Sequence, residues 1–164
     1  MDRHRFIPRR DALLDEVLDI AARTGPEYGG GLSSHLPMAL HALRSLGASD
    51  DRMRRFLARS LQRLEPAPGG PDGPLAGAWQ DRRGDLAAWT PLASHFRRAL
   101  AEDAHDTVLR RVLPDLVDGV GAAAFHGLIR VAHAAEAGHR EELASAMAYW
   151  ACRWTPLPRG GGGG

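Results

Sequence analysis

The segment AFHGLIRVAHA, residues 124–134, places two histidines and an arginine in a run of small and apolar side chains. In an α-helix His126 and His133 are two turns apart and only about 20° off register, and Arg130 lies between them on the same face. Imidazoles bind transition metals or carry protons, and a guanidinium binds a carboxylate or a phenolate. Two interpretations stay open: this helix face lines a polar cavity, or it is an ordinary surface exposed to solvent.

The spacing of these two histidines limits what they can do together. Seven residues of helix separate their Cα atoms by about 10.5 Å along the axis, whereas the i, i+4 histidines of metalloproteases meet easily. Both rings reach one metal only with converging rotamers or a bent helix. The alternative is a division of labour, in which one histidine binds a metal and the other contacts a substrate.

A further candidate, His35, lies at the predicted start of a helix in GGGLSSHLPMALHAL, residues 29–43. The helix dipole there disfavours the imidazolium and so favours the neutral, metal-binding imidazole. His41 points about 120° away on the same helix, so we do not expect both in one site. The glycine triplet has no phosphate-loop pattern and the chain has no lysine, which excludes a Walker site. The remaining histidines are interpreted as surface or satisfied core groups: His4, His95, His105 and His139.

Composition bounds the class of protein. The chain has 164 residues and a formal net charge of +1, which suits one domain and provides no global field for nucleic acid or an anionic membrane. Cys152 is the only cysteine, so no internal disulfide forms. The amino terminus has no apolar run typical of a secretory signal. We therefore expect a cytoplasmic protein that binds neither nucleic acid nor membrane.

Apolar residues recur at helical spacing along almost the whole chain, and this pattern predicts an all-α array of about seven helices. Predicted helix starts are Asp11, Ser33 or Ser34, Ser49, Thr90, Asp106, the histidine segment and residues 139–154. Pro114 is expected to bend or break its helix. Residues 65–77, with four prolines and four glycines, are predicted to be a loop. No strand is predicted. The domain prediction is 1–157, followed by a flexible glycine-rich tail, 158–164.

Three blocks resemble the questin oxidase-like family in order and spacing: SSHLPMALHALRSLGAS, LPDLVDGVGAAAFHGLIRVAHA and ELASAMAYWACRWTPL. The first family motif, His-x-Pro-Met, corresponds here to His35, Pro37 and Met38. The second, Phe-His-Gly-Leu-Ile-Arg-x-x-His-Ala, corresponds to residues 125–134. The resemblance extends from about residue 11 to residue 157. One departure is Ser34, which stands where the family often has asparagine.

The resemblance implies an all-helical oxidoreductase that uses oxygen to oxidise a small aromatic polyketide-like substrate. The reaction would be a Baeyer–Villiger-like ring opening, with NADPH as the reductant. The chain contains no GxGxxG fingerprint and no flavin motif, so NADPH is implied by the resemblance alone. Histidines on several helices suit a non-haem iron. The resulting candidate metal ligands are His35, His126 and His133, and the candidate catalytic residues are these three with Arg130.

Members of that family are about twice as long, so the resemblance predicts that this chain corresponds to the N-terminal half. An alternative follows: a non-catalytic helical subunit that needs a homo-oligomer or a C-terminal partner chain. Trp150 and Trp154 would normally pack on something further along the chain, and in this alternative they form the interface.

Overall fold

The computed structural model describes residues 11–68 and 75–157, and this part of the chain contains seven α-helices. The predicted all-α class and helix number are confirmed. The helices are α1 (Ala12–Ala21), α2 (Leu36–Ser45), α3 (Asp50–Leu61), α4 (Trp89–Glu102), α5 (His105–Leu116), α6 (His126–Ala137) and α7 (Arg140–Cys152). Short 3₁₀ helices cover Trp79–Arg82, Leu86–Ala88 and Val117–Gly119. No helix in the described ranges is long and apolar enough to cross a membrane.

Two apolar clusters form the core. One lies among α1, α2 and α3, and the other among α4, α5, α6 and α7. The centre is α7, whose residues from Glu142 to Cys152 are all buried. Most of these buried residues are small or apolar, as in a helix enclosed by others. It packs on α4 and α6, and α6 packs on α2, which joins the two clusters.

One short hairpin was not predicted. The two-residue strands β1 (Glu27–Tyr28) and β2 (Leu32–Ser33) pair antiparallel. The turn between them is Gly29-Gly30-Gly31, and all three residues have positive φ, a conformation that glycine adopts at little cost. The strands are too short to show a period-two pattern, which is why the sequence did not reveal them.

Several predicted helix starts were wrong. For α2 the N-cap is His35 rather than Ser33 or Ser34, because the hairpin continues through Ser33. For α4 the helix begins at Trp89 rather than after a Thr90 cap, since a 3₁₀ helix runs directly into it. For α5 the N-cap is Ala104 rather than Asp106.

Other boundaries behaved as predicted. The Ser49 cap is confirmed, and α6 ends at Gly138 with φ 66°. The 65–77 segment contains no helix or named strand where it is described, and residues 69–74 and the tail 158–164 lie outside the described ranges. The predicted break at Pro114, by contrast, was wrong, because α5 continues through Pro114 to Leu116. A proline this close to the C-terminus leaves only one carbonyl of the preceding turn without its hydrogen bond.

Both tryptophans of the tryptophan-rich end pack on earlier parts of the chain. Trp150 is 1% exposed, and its indole Nε1 donates to the carbonyl of Gly119 at 3.0 Å. The guanidinium carbon of Arg83 lies 4.4 Å from the centre of the Trp154 ring. The expectation that these two tryptophans form an external interface is therefore corrected for Trp150.

Candidate functional site

Two histidine pairs bridge α2 and α6. His35 Nε2 lies 2.8 Å from His126 Nε2, and His41 Nδ1 lies 2.8 Å from His133 Nδ1. The partners are separated by six residues on α2 and seven on α6, so the two helices run parallel and the pairs are about 9–10 Å apart. The structure thus brings His35 and His126 together, and it places His133 beside His41 instead.

The orientation of His126 is set by an unusual backbone turn. Ala123, Ala124 and Phe125 have φ values of 48°, 52° and 69°, and three successive non-glycine residues in this left-handed region are strained. The turn directs the carbonyl of Ala123 back at the imidazole, and His126 Nδ1 donates to it at 2.5 Å. When the ring is neutral, its lone pair is therefore on Nε2. Metal-binding histidines commonly have this tautomer, in which a carbonyl accepts from Nδ1 and the metal binds Nε2.

The His35–His126 pair lies on the wall of an open cleft of about 690 Å³. This volume lies within the range of small-molecule sites. The cleft is formed by the hairpin, the left-handed turn and the end of α7. Its lining residues are Glu27, Tyr28, Gly30, Gly31, Leu32, Ser33, His35, Ala123, Ala124, His126, Arg153 and Thr155.

A polar network that the sequence did not reveal forms one wall of the cleft. Arg153 binds both carboxylate oxygens of Glu27, with Nε to Oε1 at 2.6 Å. The Tyr149 hydroxyl donates to Glu27 Oε1 at 3.0 Å and lies 2.7 Å from the Ser33 hydroxyl. Burial, opposed by the Ser33 hydrogen bond, raises the pKa of Tyr149 to about 12, so the phenol stays protonated. In the sequence, the i, i+4 spacing of Tyr149 and Arg153 was the one indication that these two side chains lie on the same helix face.

Arg130 does not line this cleft. It is 2% exposed, and Nε and Nη2 donate to the two carboxylate oxygens of Glu142 at 2.6 and 3.0 Å. Nη2 also donates to Ser145 at 3.0 Å. The predicted anionic partner of Arg130 is thus a carboxylate of α7, and the contact ties α6 to α7.

The described residues provide an incomplete metal-binding set. Two imidazole Nε2 atoms converge in the cleft, a donor type that suits iron. Glu27 lines the same cleft, but Arg153 and Tyr149 occupy its oxygens. Within residues 11–68 and 75–157, no three His, Cys, Asp or Glu side chains are grouped so as to hold one ion.

The family model described as questin oxidase-like matches residues 32–159. The chain therefore belongs to the questin oxidase-like family, an oxidoreductase-type family. No curated protein and no solved structure matched this chain.

Proposed function

We propose that the cleft is the site of an oxygen-dependent oxidation of a small aromatic polyketide-like substrate. The observation that carries the proposal is the convergence of two imidazole Nε2 atoms, at 2.8 Å, on a cleft of aromatic-ligand size. In the proposed Baeyer–Villiger-like reaction, one oxygen atom of O₂ is inserted beside a ring carbonyl. NADPH supplies two electrons, and the second oxygen atom leaves as water.

His35 and His126 would hold a non-haem iron through their Nε2 atoms, and the iron would supply oxygen activation. The carbonyl of Ala123 keeps the proton of His126 on Nδ1, so its Nε2 has a lone pair, which accepts from His35 Nε2 in the metal-free protein. His126 needs no change of tautomer to bind a cation, whereas His35 would move its ring hydrogen from Nε2 to Nδ1. In this proposal His133 stays with His41 and supports the site by joining α2 to α6.

Arg153 takes the substrate-orienting role that the sequence suggested for Arg130. It lies on the cleft wall, and Glu27 fixes it through Nε and Nη2. Its remaining nitrogen, Nη1, makes no hydrogen bond within the described part of the chain, so it can donate to a substrate phenolate oxygen. Arg130 acts on the site only through the packing of α6 on α7.

The test is iron binding to the purified chain after anaerobic loading with Fe(II), followed by elemental analysis. Wild type is expected to retain iron, whereas His35→Gln and His126→Gln lose it. The matched control is His95→Gln, because His95 lines neither the cleft nor the α2–α6 contact, and it should keep the iron. Retention of full iron by His126→Gln would overturn the assignment.

A non-catalytic subunit is the second candidate, and one observation favours it. Phe125, Leu128 and Ile129, around the start of α6, are 52%, 38% and 43% exposed. Exposed apolar side chains this close in sequence are typical of an interaction surface. This candidate predicts self-association in sedimentation velocity, reduced by Ile129→Gln, and no retained iron.

A further inference from the structure

A second cavity lies on the other side of His35. Its volume is about 210 Å³, and it lies between the start of α2 and the C-terminal half of α3. Leu36, Phe56 and Leu64 contribute apolar walls, and Tyr28 adds an aromatic ring. The volume is below the range of drug-sized sites, so the cavity suits a single ring.

The charge around this cavity has one sign. Arg59 and Arg63 are lining residues, and none of the lining residues is acidic. Neither arginine forms an ion pair with any residue that the structure describes. On α3, which carries Arg59, two other arginines are paired: Arg54 with Glu16 and Arg55 with Asp51. Two guanidinium groups are therefore left without a counter-charge beside an apolar cavity.

The backbone and a hydroxyl at the cavity wall also lack partners. His35 is the N-cap of the ten-residue helix α2, and no side chain caps that end, so the positive end of the helix dipole faces this wall. Ser34 is 2% exposed, and its hydroxyl has no hydrogen-bond partner in the described ranges. A buried hydroxyl without a partner is unusual in a folded protein, and rotation about χ1 would let it donate to a bound anion.

We propose that this cavity binds a single-ring aromatic carboxylate. The ring packs against Phe56 and the leucines, and the carboxylate lies between Arg59 and Arg63 near the start of α2. The site is separate from the cleft proposed for oxidation, although Tyr28 and His35 line both. The inference does not depend on iron or on oxidase activity.

The experiment is an NMR titration of amide shifts in the metal-free protein, with chelator present and benzoate as the probe. Benzoate is expected to shift the amides of Ser34, Leu36 and Ser60. Benzamide keeps the ring and loses the charge, and acetate keeps the charge and loses the ring. Benzamide should bind about tenfold more weakly, since it loses two exposed charge contacts that each contribute up to about a factor of five. Acetate should also bind more weakly than benzoate, because it loses the apolar contacts of the ring.

Substitutions of the two arginines test whether they bind the carboxylate. The double variant Arg59→Gln/Arg63→Gln is expected to weaken benzoate about tenfold, to the level of benzamide. Arg52→Gln is the matched control, because Arg52 is on the same helix, is exposed and lies outside the cavity, and it should leave binding unchanged. Circular dichroism of the double variant checks that α3 is intact.

Four results would overturn the proposal. Benzamide that binds as tightly as benzoate would exclude recognition of the charge, and acetate or phosphate that does so would exclude recognition of the ring. Equal weakening by Arg52→Gln would show only general electrostatic attraction. Absence of any benzoate-dependent shift in the cavity amides would exclude the site. Because the titration is done without metal, a failure to bind iron leaves this outcome unaffected.

Discussion

The Nδ1 atoms of His41 and His133 lie 2.8 Å apart in a small enclosed space bounded by α1, α2, α6 and α7. An N–H···N bond needs one ring that keeps its hydrogen on Nδ1 and one that offers a lone pair there. A doubly protonated pair has no acceptor, so the contact joins α2 to α6 only while at least one ring is neutral. The same two helices carry His35 and His126, so this contact positions the candidate site.

The His41 pair predicts a pH-dependent stability of the metal-free protein. Burial lowers the pKa of His41, Glu136 opposes this, and His133 lowers it further. The unfolded chain takes up a proton on His41 near the ordinary pKa of 6.5, whereas the folded protein does so only at a lower pH. The stabilisation is therefore complete above pH 6.5 and decreases as the pH falls below it. Urea unfolding at about pH 7.5 and about pH 5.5 measures it, and His41→Gln should lose less stability over that interval. An equal loss in both proteins would contradict the prediction.

Gly127 is required by the packing of α6 on α7. A Cβ atom there would lie 2.8 Å from Cγ and 3.0 Å from Cα of Trp150, so the helix backbones would have to separate. Gly127→Ala gains about 1 kcal/mol of helix propensity but loses about 1–3 kcal/mol to overpacking. We expect a net loss of free energy of unfolding of up to about 2 kcal/mol. The control is Ala132→Gly, at an exposed position of the same helix. It should lower the free energy of unfolding by about 1 kcal/mol, because glycine has the lower helix propensity. Stabilisation by Gly127→Ala would contradict the close packing.

The buried Arg130–Glu142 ion pair predicts an asymmetry between single and double variants. Both side chains are 2% exposed, so removal of one charge leaves the other buried without a partner. Glu142→Leu or Arg130→Met alone should lower the free energy of unfolding by about 3–5 kcal/mol. The double variant Arg130→Met/Glu142→Leu should recover much of that loss, because it buries no charge. Urea unfolding measures all three, and simple addition of the two single losses in the double variant would refute the explanation.

The left-handed turn before His126 predicts a stabilising glycine. Ala124 has φ 52° and is exposed, and a non-glycine residue in this region costs about 1–2 kcal/mol. Ala124→Gly should therefore raise the free energy of unfolding by about 0.5–1 kcal/mol, after the entropy of the more flexible unfolded chain is subtracted. The control is Ala132→Gly, which lies in regular helix and should lower the free energy of unfolding. If Ala124→Gly also loosens the turn, the His126 amide will exchange faster with solvent than in wild type. Destabilisation by Ala124→Gly would mean that the turn is not strained.

The sequence by itself determined the helical class, the number of helices and the membership of the family, because helical periodicity and block motifs are local properties. It also identified His35 and His126, since a histidine at a helix start and one in a family motif can be read from neighbouring residues. Only the tertiary structure decided which histidines meet. His126 and His133 share a helix face and still have different partners, because the parallel packing of α2 on α6 pairs the histidines turn by turn. The contacts of Arg130 and Arg153 were decided in the same way: α7 places Glu142 beside Arg130, and the hairpin places Glu27 beside Arg153.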